Sequence, residues 1–307
     1  LLMKVGISYV SEEQARINLE KELAHWNFDR VKEDAFAEWN RELGKITVEG
    51  GSEEEKIKFY TDLWHSLLGR HTFSDFNGKY IDNTGEEPVV RQVPLDNGTP
   101  TRNTYNSDAF WGSEFNLNIL WSIAYPKVMS EFVSTLVDYY TNGGMIARGP
   151  SGGNYTYVMV GDQATPLIAA AYNKGIRDFD IESAYQGCLK NSEPGGIRDY
   201  VGYKTNPGNF MQQYVDKGFV PEPTTKSPHA EGCAMTLYFA YEDWCMAQFA
   251  KGLEKEDVYR KYLQRSFNYR YVYDKQSGWM RPRTTDGSWM RNFSPIGKGF
   301  NMPGFVE

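Results

Sequence analysis

Six acidic residues lie in or at the edges of long loops: Asp108, Glu114, Asp162, Glu231, Asp286 and Glu307. Two carboxyl groups facing one another across a sugar can hydrolyse a glycosidic bond. One protonates the departing oxygen, and the other activates water or attacks the ring carbon. A single loop carboxylate is more often a solvated charge or a helix cap, and spacing alone selects no pair here.

Three segments have the composition of ligand-holding loops. Ala109-Phe110-Trp111-Gly112-Ser113-Glu114-Phe115 sets a tryptophan beside a glycine, so that the backbone can approach a sugar stacked on the indole. Arg148 to Tyr155 is glycine-rich and precedes a helix, but it lacks the Gly-Lys-Ser/Thr element of a phosphate cradle. Gly299 to Glu307 ends in an acid after an apolar, Gly/Pro-shaped run. Apolar surroundings raise a carboxyl pKa, which a general acid working near neutrality requires.

Other chemistries lack their signatures. There is no GxGxxG, Walker A, GxSxG or HExxH pattern. No two of His25, His65, His71 and His229 are spaced i, i+4, and His65 reads as a packing residue within a helix. Cys188, Cys233 and Cys245 form no CxxC pair and read as buried thiols.

The elements that must position these residues are mostly helical. Ser11 to Gln14 reads as a capping box, followed by Ala15, Leu19, Leu23 and Trp26 at helical spacing. A second helix carries Val31, Ala35, Trp39 and Leu43. Ser52 and Glu55 cap a third, with a stripe of Ile57, Tyr60, Leu63, Trp64, Leu67 and Leu68. Helical patterns return at about 113–124, 127–140, 162–174, 180–189, 207–217, 232–252 and 256–273. Residues 4–10 read as one strand, which lacks a partner in this chain. Short connections alternate with long loops rich in Gly, Pro, Trp and Tyr at 70–107, 141–161, 190–206, 218–231 and 274–307. Long loops in a compact domain are usually functional, so the pattern suggests a toroid of helical hairpins with its cleft at the long-loop end.

Composition narrows the partners. With 33 Lys+Arg against 40 Asp+Glu, the formal charge of the 307 residues is −7. No basic stripe is present to meet nucleic-acid phosphates or an anionic membrane surface. No apolar run approaches the ~20 residues of a membrane span. Aromatic residues make up 15%, a modest pointer to carbohydrate. The chain opens Leu1-Leu2-Met3-Lys4 and closes Val306-Glu307, and both ends read as cut from a longer polypeptide.

Several segments, in order, resemble glycoside hydrolase family 92. V-G-I-S-Y-V-S-E-E-Q-A (5–15) looks like that family's junction between a β-sandwich and a linker helix. W-N-R-E-L-G-K-I-T-V-E-G (39–50) and E-E-K-I-K-F-Y-T-D-L-W-H-S-L-L (54–68) look like the entry to its helical domain. Y-T-N-G-G-M-I-A-R-G-P-S-G-G-N-Y (140–155), A-T-P-L-I-A-A-A-Y-N-K-G-I (164–176), A-Y-E-D-W-C-M-A-Q (240–248) and S-G-W-M-R-P-R (277–283) follow in family order.

The resemblance implies an all-α, partial (α/α)6 toroid at 51–307, preceded by linker helices at 11–50 and the last strand of a β-sandwich at 1–10. It implies an inverting, calcium-dependent exo-α-mannosidase acting on mannose-containing glycans, periplasmic or secreted. The calcium ligands, the catalytic base, the rest of the β-sandwich and the C-terminal remainder are then expected outside this chain, and the chain alone is expected to be inactive. Phe305-Val306-Glu307 matches the first three positions of the family's F-x-E-G motif, the sequence stopping before the glycine, and the resemblance then implies Glu307 as the general acid. Trp111 matches a substrate-contacting tryptophan. Many members carry Asp after it, where Gly112 stands, so Glu114 is the candidate to hold the sugar hydroxyls. Many also read T-L-E-Y where this chain has Thr236-Leu237-Tyr238-Phe239. Two other readings stay open: a non-catalytic glycan-binding module, or another α/α-toroid enzyme such as a polysaccharide lyase, for which His229 with a nearby tyrosine is the candidate pair.

Overall fold

The computed structural model describes residues 1–107, 109–202, 208–222, 231–291 and 293–295. Its helices are α1 (Glu12–Glu22), α2 (Phe28–Leu43), α3 (Glu53–Leu67), α4 (Leu117–Ala124), α5 (Pro126–Gly143), α6 (Ala164–Asn173), α7 (Ile181–Asn191), α8 (Phe210–Lys217), α9 (Gly232–Gly252) and α10 (Glu256–Arg265). The helix-rich expectation holds, and short antiparallel hairpins are added to it. The chain divides into two compact units, one of Leu1–Thr135 with Gly149–Asn154, the other of Leu136–Arg148 with the chain from Tyr155 onward.

In the first unit α1 starts where Ser11 predicts, with Ser11 Oγ accepting the Gln14 N–H at 3.1 Å. Only half of the expected box forms, because Gln14 Oε1 accepts from Asn77 Nδ2 at 2.8 Å instead. The buried face of α1 is also not the apolar stripe. The helix ends at Glu22 and Trp26 is 60% exposed, whereas Gln14 and Asn18 are buried. Asn18 Nδ2 donates to Asp75 Oδ1 and to the Ile7 carbonyl, and its Oδ1 accepts from Phe76 N–H. Amide groups thus dock α1 on the 75–77 turn, where burial without those bonds would cost stability.

Residues 4–10 form no strand. Exposure alternates with a period of two from Met3 to Val10, but no ladder partner occurs among the described residues. The alternation fits the expected strand, whose partner was expected outside this chain. In α3 the capping box forms in full, with Glu55 Oε2 on Ser52 N–H at 2.7 Å and Ser52 Oγ on Glu55 N–H at 3.3 Å. Of its expected stripe only Leu63 is buried.

The long 70–107 stretch is built from hairpins. His71–Thr72 pairs with Tyr105–Asn106, Lys79–Asp82 with Val89–Gln92, and Leu95–Asp96 with Thr99–Pro100. The last turns at Asn97-Gly98, both with positive φ (48° and 82°), as a two-residue hairpin turn of matching twist requires.

In the second unit α9 is the central element, apolar around nearly its whole circumference, as a buried helix must be. It packs against α6 and α10. Val160, Val201, Phe210, Met211, Tyr214, Val220, Met235 and Phe239 form one core cluster beside it. Phe219, Cys233 and Val272 form another. Cys188, Cys233 and Cys245 are all free and buried, as expected.

Candidate functional site

The Trp111 loop belongs to the first unit. Gly112 has φ 84° and leads into a single 3-10 turn, Ser113–Phe115. Nothing lies within 4 Å of where its Cβ would be, so backbone conformation rather than crowding calls for glycine. Asn116 Oδ1 then accepts the Leu117 N–H at 2.6 Å and starts α4. Trp111 and Glu114 are both half-buried on this one turn. Burial pushes the Glu114 carboxyl above its ordinary range, partly offset by the N–H groups of Glu114 and Gly112. Its Oε2 is buried without a hydrogen-bond partner. A half-buried indole and an under-satisfied carboxyl on one turn can stack a pyranose ring and accept from its hydroxyls.

Sequence reasoning passed over what lies behind this loop. Arg70 is 9% exposed, with its guanidinium carbon 4.3 Å from the Trp121 ring centre, 4.9 Å from Phe132 and 5.8 Å from Phe110. Its Nε and Nη2 have no hydrogen-bond partner among the described residues, and desolvation lowers its pKa to about 10. The three rings meet edge to face, Phe110 and Phe132 at 5.4 Å and Trp121 and Phe132 at 6.3 Å. A buried cation enclosed by ring faces is a cation–π cage. The indole N–H of Trp121 and both side-chain amide atoms of Asn118 are likewise buried without partners among the described residues.

The second unit contains a buried ionic lattice. Asp243 is gripped by Arg265, Nε to Oδ2 at 2.6 Å and Nη2 to Oδ1 at 2.7 Å, the bidentate fork of strong Arg–carboxylate pairs. Arg198 Nη1 adds a bond to Asp243 Oδ1 at 2.8 Å. Arg198 Nε lies 3.0 Å from Glu242 Oε2, close enough to pair by charge but not aligned to hydrogen-bond. Glu242 Oε1 accepts the Asp162 N–H. Full burial, reinforced by the charge of Asp162, raises Glu242 to about 8. A sequence signal existed: Glu242-Asp243 interrupts the otherwise apolar run of α9.

The remaining candidates separate by role. Asp162 accepts from Thr165 Oγ1 at 2.6 Å and from its N–H at 3.4 Å, at the start of α6. Asp286 is exposed and accepts from Thr284 Oγ1 and Ser288 N–H. Asp162 braces the start of α6 and Asp286 an exposed turn, so each spends its oxygens on local hydrogen bonds. The glycine-rich loop spends its polar groups internally. Gly152 N–H donates to Asn106 Oδ1 at 2.8 Å, and the carbonyls of Gly152 and Gly153 accept from Asn83. It offers no phosphate cradle. His65 is exposed on α3, so it is not the packing residue expected. Glu307, Asp108 and His229 lie outside the described residues. Among the described residues no group of three or more His, Cys, Asp or Glu gathers as a metal site.

A family model described as the glycosyl hydrolase family 92 catalytic domain matches residues 14–307. The chain is similar to an inverting mannosidase of family GH92 from Bacteroides thetaiotaomicron VPI-5482, with 27% identity and a TM-score of 0.81 over 95% of this chain and 37% of that one. It is equally similar to a family GH92 α-mannosidase from Bacteroides thetaiotaomicron, at 27% identity and TM-score 0.81 over 97% of this chain and 37% of the other. An uncharacterized secreted glycosidase of Arthroderma benhamiae is 25% identical over 93% of this chain and 34% of its own length. The chain therefore spans about a third of the length of these relatives.

Proposed function

The chain belongs to glycosyl hydrolase family 92, and we propose that it is the helical part of an inverting exo-α-mannosidase that removes terminal mannose from glycans, N-glycans included. The observation that carries this reading is the match over nearly the whole chain to two solved mannosidases at TM-scores of 0.81. The Arthroderma relative, described as secreted, supports a secreted or periplasmic setting. No helix among the described residues is long and apolar enough to cross a membrane.

In this reading the helical elements complete an (α/α)6 toroid with polypeptide outside the chain, and Trp111 stacks the terminal mannose. Glu114, two residues on with its Oε2 unpartnered among the described residues, takes the hydroxyl contacts that an aspartate at position 112 would make. Glu307 donates its proton to the glycosidic oxygen as the C1–O bond breaks. A carboxylate outside this chain removes a proton from water as that water's oxygen bonds to C1 from the opposite face, leaving β-mannose and a free hydroxyl on the remaining glycan. Inverting pairs stand about 6.5–9.5 Å apart to admit the water. Calcium enters through the family resemblance, with ligands expected outside this chain, and no step above runs through it.

The test is made on the full-length polypeptide with α-linked mannobiose, following the product anomer by proton NMR. β-Mannose should appear first, and Glu307→Gln should slow release by at least a hundredfold. Initial α-mannose, or a Glu307→Gln variant with undiminished turnover, sinks the assignment. Loss of α-mannoside binding in Trp111→Ala, with an unchanged melting temperature, would support the stacking role.

A further inference from the structure

Arg148 is fully buried in the second unit, and among the described residues its hydrogen bonds go to backbone carbonyls. Its Nε donates to the Gly161 carbonyl at 2.8 Å, and Nη2 to the Ile197 carbonyl at 2.8 Å. Nη1 donates to the carbonyls of Met159 and Tyr200, each at 2.8 Å. One guanidinium therefore ties together two loops distant in sequence, 157–161 and 197–200. The first is conformationally demanding: Met159 has φ 69° and Gly161 φ 78°. A left-handed methionine persists only where its surroundings hold it. The Gly202 N–H bonded to the Tyr157 carbonyl adds a further tie between the loops.

These tied loops present two tyrosines. The rings of Tyr157 and Tyr200 lie 5.4 Å apart, tilted by 45°, and both side chains are half-buried. Tyr155 backs Tyr157 at 6.1 Å and is itself anchored, its hydroxyl donating to the Tyr139 carbonyl at 2.9 Å. The phenols of Tyr157 and Tyr200 differ from it. Neither has a hydrogen-bond partner among the described residues, and neither is sealed from solvent. Tyrosines serving only as packing bury the ring and satisfy the hydroxyl, as Tyr155 does. A rigid pair of half-open rings with two unspent hydroxyls suits a neutral pyranose, whose C–H face stacks and whose hydroxyls both donate and accept.

We propose that Tyr157 and Tyr200 form a sugar-stacking platform, held by Arg148, that binds a pyranose ring of the glycan. The proposal rests on the glycosidase reading for its ligand class and on the geometry of the two loops for its place.

The experiment uses the full-length protein and two trisaccharides: a thio-linked α-mannotriose that resists hydrolysis, and a β-linked glucotriose. Tyrosine nitration by tetranitromethane, mapped by mass spectrometry with and without each sugar, reads contact in the unaltered protein. Calorimetric titration then compares Tyr157→Ala, Tyr200→Ala and the double Tyr157→Phe/Tyr200→Phe variant, which keeps the packing. The expected result is slower nitration at both tyrosines in α-mannotriose, and affinity roughly fivefold weaker in each alanine variant. The phenylalanine double variant, with a native melting temperature, should bind at least twofold more weakly. Binding of α-mannotriose without protection of either tyrosine overturns the platform and leaves the mannosidase reading standing. Protection by glucotriose alone keeps the platform and removes mannose as its ligand. Protection by neither sugar, or full affinity in the phenylalanine variant, overturns the proposal.

Discussion

Glu242 shows what burial does to one side chain. Its carboxyl is surrounded by Arg198, Asp162 and Arg148, and burial outweighs the arginines to raise it to about 8 against 4.5 for a free glutamate. Between those values the folded chain holds a proton that the unfolded chain has lost. Stability from this group is therefore full below about pH 4.5 and falls as pH rises through 8. Glu242→Gln keeps the shape and the acceptor for the Asp162 N–H but cannot titrate. Thermal melts from pH 5 to 8 should show a shallower decline in the glutamine variant than in the wild type; parallel curves would refute the assignment. The Glu242-Asp243 pair was visible in the sequence as two acids inside an apolar helix. Its partners Arg198 and Arg265 were not, because they lie 45 and 22 residues away.

At the scale of elements, the ends of helices were more legible than their faces. Ser52 and Glu55 cap α3 reciprocally as their spacing predicts, because a capping box is a contact between residues three apart and needs nothing else. Ser52→Ala should lower stability by about 1 kcal/mol, read as a reduced denaturant midpoint with an unchanged slope; an unaltered midpoint would mean the cap adds nothing. Faces depend on neighbours. The apolar stripe of α1 gave way to Gln14 and Asn18 because the 75–77 turn offers hydrogen-bond partners. The Asn97-Gly98 hairpin was written in the sequence, yet it was passed over inside a stretch read as polar loop.

For the molecule as a whole, all three cysteines are free and buried. Burial raises the thiols of Cys188 and Cys233, the latter to about 12, which suppresses the reactive thiolate. Native protein should react with Ellman's reagent only slowly, and the three thiols of this chain should become reactive together on denaturation. Reducing agent should leave the melting temperature unchanged. Rapid native labelling, or a melting temperature that falls on reduction, would contradict this picture.

Local chemistry sufficed to read the order of helices, the caps at Ser11 and Ser52, the buried state of the cysteines and the family, since each rests on residues adjacent along the chain. Tertiary structure alone decided that Arg70 sits in a cage of rings and that Arg148 joins two loops through their carbonyls. Those outcomes depend on which groups meet across long stretches of sequence, and a pattern of neighbours along the chain carries no record of neighbours in space.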